Sequence, residues 1–225
     1  SLRDNVSGNN NTAFGQASLQ NTTASNNVAF GYQSALANTS GTRNIAIGYQ
    51  AYNAADTEDD NLAIGYDALG GAVDGGEYNI AIGNYSMDAN TSGDYNTAVG
   101  YASLGANTTA SYNTALGWQS MLATVGAGTF NTGVGARSLE TNTTGDDNTA
   151  VGVNSMFSNS TGNENTGVGR NSLYATTGSY NTSLGWYSGN EITSGTYNTV
   201  IGHNASASGA TAVNQTVIGA EAIGQ

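Results

Sequence analysis

A single glycine recurs every 16 to 18 residues along this chain of 225 residues, and no other feature limits the possible folds as strongly. Each copy stands four residues after an anchor asparagine, which is replaced by glutamine only in the last unit. The thirteen glycines are Gly15, Gly31, Gly48, Gly65, Gly83, Gly100, Gly117, Gly135, Gly152, Gly169, Gly185, Gly202 and Gly219. A repeat of this kind is typical of a solenoid, in which each unit forms one coil and stacks on the next.

The length of the repeat determines the kind of coil. A period near seventeen residues is too short for a pair of helices, and the apolar positions lie two apart, as they do in β-strands. We therefore expect an all-β protein, a parallel β-solenoid or β-roll of 13 coils of about 17 residues, with two short strands in each coil. Coils about 4.8 Å apart would give a rod roughly 60 Å long. Residues 1–10 would be an N-terminal lead-in, and residues 11–225 one continuous solenoid domain.

The conserved offset of the glycine indicates backbone with positive φ, or a second backbone too close for a side chain. The residue before each glycine is always apolar, and we expect these large side chains to fill the coil. The preceding residue, usually Ala, would then form a smooth outer strip that favours association with other copies, although a monomer with a narrow strip is the alternative. A third column, mostly Thr, contains Val28 and Ile45 in other coils, so we expect it to be mostly buried.

Composition excludes several classes of function. The net charge is −12, with only 4 basic residues, which argues against binding to nucleic acid or to an anionic membrane surface. No apolar run approaches the roughly 18 residues that would insert into a bilayer, and the N-terminal residues do not resemble a signal peptide. The chain has no Cys, so stability has to come from backbone pairing and burial rather than from disulfides.

The blocks NIAIGYQAY at Asn44, NLAIGYDAL at Asn61 and NTAVGYASL at Asn96 resemble the repeats of trimeric autotransporter adhesin heads. With Tyr after the glycine and NTTG in the turn, they also resemble repeats of bacteriophage tail fibres and related bacterial surface proteins. The resemblance implies a left-handed, homotrimeric β-roll outside the cell, on a virion or cell surface. The chain differs from the adhesin heads in its longer coil and its aromatic columns.

We expect no catalytic site, and therefore no enzyme, because catalysis needs convergent groups of matched pKa. The only histidine, His203, occupies a column that holds Tyr, Trp or Ala in other coils, so we interpret it as a variant of that column. No Cys or Lys offers another nucleophile. We expect no cofactor.

An acidic cluster offers hard oxygen ligands of the kind that Ca²⁺ prefers. Its members are Asp56, Glu58, Asp59, Asp60, Asp74 and Glu77. The spacing matches no established calcium loop, so we interpret these residues as solvated turn carboxylates that limit aggregation, with a calcium site as the alternative.

Aromatic residues form two columns. One follows the glycine: Tyr32, Tyr49, Tyr66, Tyr101, Trp118 and Trp186. The other precedes the anchor asparagine: Tyr78, Tyr95, Tyr112, Phe130, Tyr180 and Tyr197. Their regularity favours stacking between coils, and glycan contact at Tyr101, Trp118 and Trp186 is the alternative.

Asparagines also form ladders, which we expect to hydrogen-bond to one another and to turn backbone. Several turn asparagines match the N-x-S/T pattern for glycosylation: Asn21, Asn38, Asn90, Asn107, Asn142 and Asn159.

These patterns together predict a structural segment of an extracellular fibre, such as a tail-fibre or adhesin shaft, that presents a binding tip or assembles into a filament. The expected partners are other copies of the chain, in a trimer or stacked head to tail, and a host-surface glycan or receptor. The alternative is a solenoid whose own surface recognises glycans through aromatic columns, or ice through Thr.

Overall fold

The computed structural model describes residues 1–71, 75–124, 126 and 128–225. These residues form thirteen β-strands of three residues each and no helix, so none of them provides a helix that could cross a membrane. The strands are β1 (Thr12–Phe14), β2 (Val28–Phe30), β3 (Ile45–Ile47), β4 (Leu62–Ile64), β5 (Ile80–Ile82), β6 (Thr97–Val99), β7 (Thr114–Leu116), β8 (Thr132–Val134), β9 (Thr149–Val151), β10 (Thr166–Val168), β11 (Thr182–Leu184), β12 (Thr199–Ile201) and β13 (Thr216–Ile218).

The chain divides into two compact units, Ser1–Tyr112 with β1 to β6 and Asn113–Gln225 with β7 to β13. In each unit every strand pairs in parallel with the next strand of the chain. The register joins equivalent offsets, so that Ala29 pairs with Ala46 and Gly133 with Ala150. The prediction of a parallel β-solenoid that winds once per glycine is therefore confirmed within each unit.

The expectation of two strands per coil is wrong, because each coil has one. After the glycine, the residues six and eight positions beyond the anchor have positive φ, such as Gln33 (φ 54°) and Ala35 (φ 49°), and this ends the extended backbone. The backbone of these turns still forms hydrogen bonds with the coils on either side. The amide of Gln33 donates to the carbonyl of Gln16 (2.9 Å), and the amide of Ala35 donates to the carbonyl of Ala51 (3.0 Å).

The predicted orientation of the strand is also wrong. Ala29, Ala46 and their equivalents point into the coil and are buried, whereas the large residues before the glycine point outward. The Thr column, expected to be mostly buried, faces outward as well. The interior is too thin for two layers of large side chains, because Leu and Met from the other half of the coil already occupy it. These fully buried residues are Leu19, Leu69, Met87, Leu104, Met121, Leu139, Met156 and Leu173.

Small residues complete the interior. The Ser or Ala seven positions after each anchor is fully buried in most coils, as at Ser34, Ala51 and Ser155. The Ser155 hydroxyl donates to the Gly167 carbonyl at 2.8 Å. A small residue at this offset lets the two halves of the coil pack closely.

Both reasons proposed for the repeated glycine apply. Gly31 has φ 137°, a conformation that disfavours residues with a side chain. A Cβ on Gly31 would also lie 2.1 Å from the carbonyl oxygen of Gly48 in the next coil. The column is therefore a line where successive backbones touch.

Residues 2–10, expected to be a lead-in, have the geometry of the second half of a coil. Leu2 has φ 49°, as Leu19 does one coil later, and its amide donates to the Ser18 carbonyl at 3.1 Å. Asn5 and Gly8 form the side-chain-to-backbone turn that recurs in later coils, with the Gly8 amide 2.8 Å from Asn5 Oδ1.

Candidate functional surface

The most distinctive surface of the chain is the outer side of its β-strands, which we call the outer β-face. It consists of the first and third residues of β1 to β13, and none of these residues is buried or charged. In unit 1 the face is almost wholly apolar from β2 to β5. Its residues there are Val28, Phe30, Ile45, Ile47, Leu62, Ile64, Ile80 and Ile82. Ile45, Ile47 and Ile80 are each 38–39% exposed, which is typical of a surface that contacts another molecule.

In unit 2 the same face has a different composition. The first residue of every strand from β7 to β13 is Thr, and the third is Leu, Val or Ile. The seven threonines are Thr114, Thr132, Thr149, Thr166, Thr182, Thr199 and Thr216. The parallel register places these threonines one above another, at the strand spacing of about 4.8 Å. Unit 2 therefore presents a column of hydroxyl and methyl groups beside an aliphatic column.

Beneath this face the anchor asparagines form a buried ladder. Each side-chain oxygen accepts the backbone N–H of the next anchor, as between Asn27 Oδ1 and the amide of Asn44 (2.9 Å). Each side-chain nitrogen donates to a carbonyl in the turn that leads into the next anchor, as from Asn27 Nδ2 to Gly41 (2.8 Å). The expected asparagine hydrogen bonds are confirmed, and they hold the ends of the strands in register.

The aromatic columns stack as predicted. Tyr49 and Tyr66 lie 5.0 Å apart between ring centroids, with their planes at 4° to each other. Tyr78 and Tyr95 are 4.8 Å apart, also at 4°. Because each ring covers its neighbour, the ladder presents ring edges and hydroxyl groups outward rather than the open faces that pack against sugars.

The candidate glycan residues lie where this regularity changes. Tyr101 contacts Tyr85 edge-on, with ring centroids 5.9 Å apart. Tyr85 is six residues after its anchor, whereas Tyr101 is five residues after its own. Trp186 stacks on His203 (4.8 Å, 16°), which confirms that this histidine behaves as a member of the aromatic column. All three candidates, including Trp118, are between 43% and 49% exposed. Tyr101 belongs to unit 1, whereas Trp118 and Trp186 belong to unit 2.

Among the acidic candidates, Asp56, Glu58, Asp59 and Asp60 lie in the turn before β4, and Glu77 lies in the turn before β5. Asp60 forms a bidentate ion pair with Arg43, at 2.6 and 2.7 Å, and this hydrogen bonding lowers the pKa of the Asp60 carboxyl. Asp59 accepts the amide of Thr42 at 2.6 Å, and Asp56 accepts the Thr39 hydroxyl. These carboxylates brace turns against the preceding coil.

Glu58 is buried. It accepts the amides of Asp56 (3.0 Å) and Thr57 (3.1 Å) in its own turn and the amide of Gly75 (3.1 Å) one coil later. Glu77 lies among other carboxylates, and partial desolvation followed by the charge of Asp59 raises its pKa. Asp74 lies outside the described residues. Within the described part of the chain, no three acidic or histidine side chains are placed to hold a metal ion.

Five of the six N-x-S/T asparagines are buried and bond within their own turns, which the sequence did not predict. Asn142 Nδ2 donates to the Gly145 carbonyl at 2.9 Å, and the Gly145 amide returns a bond to Asn142 Oδ1 at 3.1 Å. Asn38, Asn90, Asn107, Asn142 and Asn159 are each at most 1% exposed. Asn21 is exposed, so among these six it alone presents an accessible amide in the folded coil.

One open cleft of about 460 Å³ lies in unit 2, lined by Asn190, Glu191, Asn204, Glu221 and neighbouring small residues. Comparisons with protein-family models, with curated proteins and with solved structures found no match to this chain.

Proposed function

We propose that this chain is a structural segment of an extracellular fibre, exposed on a virion or cell surface. Support comes from the use of its polar groups. Backbone amides, the anchor asparagines and the carboxylates of Asp56, Asp59 and Asp60 bind the adjacent coil. A chain whose polar groups are used in this way forms a regular stack of coils, which is the structure that a fibre shaft requires.

Self-association through the outer β-face is the second part of the proposal. The observation that carries it is the exposed, uncharged and largely aliphatic surface of β2 to β5, which a monomer would leave in contact with water. Removing such surface from water contributes about 25 cal/mol for each Å² buried. A homotrimer about the stacking axis is the arrangement that the resemblance implies.

Sedimentation velocity on the intact chain tests this part. The expected result is a trimer mass, and we expect Ile47→Lys combined with Ile64→Lys to shift it towards the monomer. Tyr49→Lys, on the exposed aromatic column, is the matched control and should leave the mass unchanged. A wild-type monomer at every concentration would contradict the proposal.

Head-to-tail stacking between copies would extend the same ladder of amide and carbonyl groups that joins the coils of each unit. The binding partner that such a fibre would present to a host, a surface glycan or receptor, is part of the same proposal. Electron microscopy of concentrated protein would show filaments longer than one molecule if ends join.

A second candidate is recognition of ice by unit 2, and the seven outward threonines favour it. Regularly spaced hydroxyl and methyl groups on a rigid, uncharged face offer a pattern on which ordered water can form. A thermal-hysteresis measurement tests it: Thr166→Lys should abolish the activity of the wild type, whereas Thr177→Lys, in an exposed turn, should not. No hysteresis in the wild type would remove this candidate.

A further inference from the structure

Tyrosines in consecutive coils face each other in pairs that suit covalent coupling. In unit 1, Tyr78 and Tyr95 stack at 4.8 Å, and Tyr95 and Tyr112 stack at 5.1 Å, with planes at 4° and 7°. In unit 2, Tyr180 and Tyr197 stack at 4.6 Å and 4°. These rings are about half exposed, at 42–57%, so an oxidant can reach them and they have room to tilt.

Stacking in register brings the same edges of neighbouring phenols together. The two carbons ortho to the hydroxyl are the positions at which phenoxyl radicals combine, and in a parallel pair those of one ring lie beside those of the other. The new carbon–carbon bond lies in the plane of both rings, so each half-exposed ring has to rotate out of the stack as the two ortho carbons meet.

We propose that these tyrosine ladders are sites of oxidative modification, at which dityrosine bonds link one coil to the next. A peroxide acting through a haem peroxidase removes one electron and one proton from each phenol. The two phenoxyl radicals form one carbon–carbon bond between ortho carbons, and each ring then loses its ortho hydrogen as a proton while its oxygen is reprotonated. Overall two tyrosines and one hydrogen peroxide yield one dityrosine and two waters.

Such bonds would give this chain the covalent bracing that it otherwise lacks, because it contains no cysteine. Each bond would close a loop of 17 residues, from Tyr78 to Tyr95, from Tyr95 to Tyr112 or from Tyr180 to Tyr197. Cross-links restrict the unfolded chain, so an oxidised sample should unfold at a higher temperature.

Two features of the chain provide internal controls. Phe157 and Tyr174 stack as closely as the tyrosine pairs, at 5.1 Å and 7°, but Phe157 has no phenol and cannot couple in this way. Tyr85 meets the ring of Tyr101 at 78°, so its ortho carbons are not aligned with those of its neighbour.

The test is treatment of the dilute intact chain with hydrogen peroxide and a haem peroxidase, followed by digestion and mass spectrometry. We expect linked peptides, lighter by two hydrogens, that join Tyr78 to Tyr95, Tyr95 to Tyr112, and Tyr180 to Tyr197, and also Tyr49 to Tyr66, which stack equally closely. Tyr95→Phe keeps the stack but should eliminate the two links that involve Tyr95 and leave the other links unchanged.

The reference sample is the same chain unfolded in urea. Ladder links should be several-fold more abundant in the folded chain than in urea, and the proposal is overturned if their yields are equal. It is also overturned if a mixture of ¹⁵N-labelled and unlabelled chains gives mainly mixed-isotope links, since these arise between molecules.

Discussion

The backbone amide of Asn96 donates to the side-chain oxygen of Asn79, one coil earlier, at 3.0 Å. The same Asn79 side chain donates from Nδ2 to the carbonyl of Gly93 at 2.8 Å and is fully buried. One amide side chain thus binds a backbone donor of the next coil and a backbone acceptor in the turn that leads into that coil. Removing it leaves both groups buried without that partner.

Asn79→Ala should therefore lower the free energy of unfolding by about 1–3 kcal/mol, chiefly through the Asn96 amide, because the Gly93 carbonyl keeps its bond from Asn90 Nδ2. Urea denaturation followed by circular dichroism measures the change. Asn21→Ala, at an exposed asparagine of the same unit, is the control and should stay within about 0.5 kcal/mol of the wild type. Equal effects of the two substitutions would argue against a structural role for the ladder.

Gly65→Ala should be more damaging, because a Cβ there would lie 2.5 Å from the Gly83 carbonyl oxygen and the backbone has φ 141°. We expect the free energy of unfolding to fall by about 2–5 kcal/mol, which combines the cost of a side chain at positive φ with the cost of overpacking. Gly75→Ala separates the two contributions, since Gly75 has φ 104° but no atom within 4 Å of the added Cβ. If the two variants had the same denaturation midpoint, the close approach of the coils would be unimportant for stability.

Ala63→Leu should destabilise unit 1 by about 1–3 kcal/mol, since Ala63 points into a filled interior. Thr97→Val, at the outward first position of β6, should change stability by less than about 0.5 kcal/mol. Thermal unfolding of both variants at equal concentration measures the difference. If Thr97→Val were the more destabilising of the two, the result would support the orientation predicted from the sequence, with Ala on the outside.

Stability of unit 1 should fall as the pH rises through the raised pKa of Glu77. A carboxyl whose pKa is raised in the folded state binds its proton more tightly there than in the unfolded chain. Protonation as the pH falls therefore favours folding, and deprotonation at neutral pH disfavours it. Glu77→Gln should raise the unfolding midpoint at neutral pH. The corresponding gain in the free energy of unfolding should be less than about 1 kcal/mol, because interactions between solvent-accessible charges are weak.

The matched control for that substitution is Glu191→Gln, an exposed glutamate of unit 2 that undergoes the same change of charge. Unfolding midpoints measured across the acidic range should converge for wild type and Glu77→Gln at low pH. A gap that widens towards low pH would have the wrong sign and would contradict the effect assigned to neighbouring carboxylates.

Much of the architecture could be predicted because it depends on period alone. A spacing of 16 to 18 residues between glycines places equivalent residues in adjacent coils, whichever way their side chains point. Parallel register, the close approach at Gly31, the stacking of Tyr78 on Tyr95 and the asparagine bonds all follow from that periodicity.

Orientation could not be predicted in the same way. Alternation within Ile45–Ile47 shows that the two sides of the strand differ, but it does not show which side is enclosed. The number of strands per coil was missed for a related reason, because the turns at Gln33 and Ala35 use non-glycine residues at positive φ. Such residues carry no clear composition signal.

Periodicity in the chain was thus sufficient to establish a stack of parallel coils, since hydrogen bonding between equivalent backbones depends only on their spacing. The folded coil decided which surface meets solvent. Leu19, Met87 and their equivalents reach the interior from the far half of the coil and leave room only for alanine on the strand. The large aliphatic and threonine side chains are thereby placed outside, where they form the outer β-face.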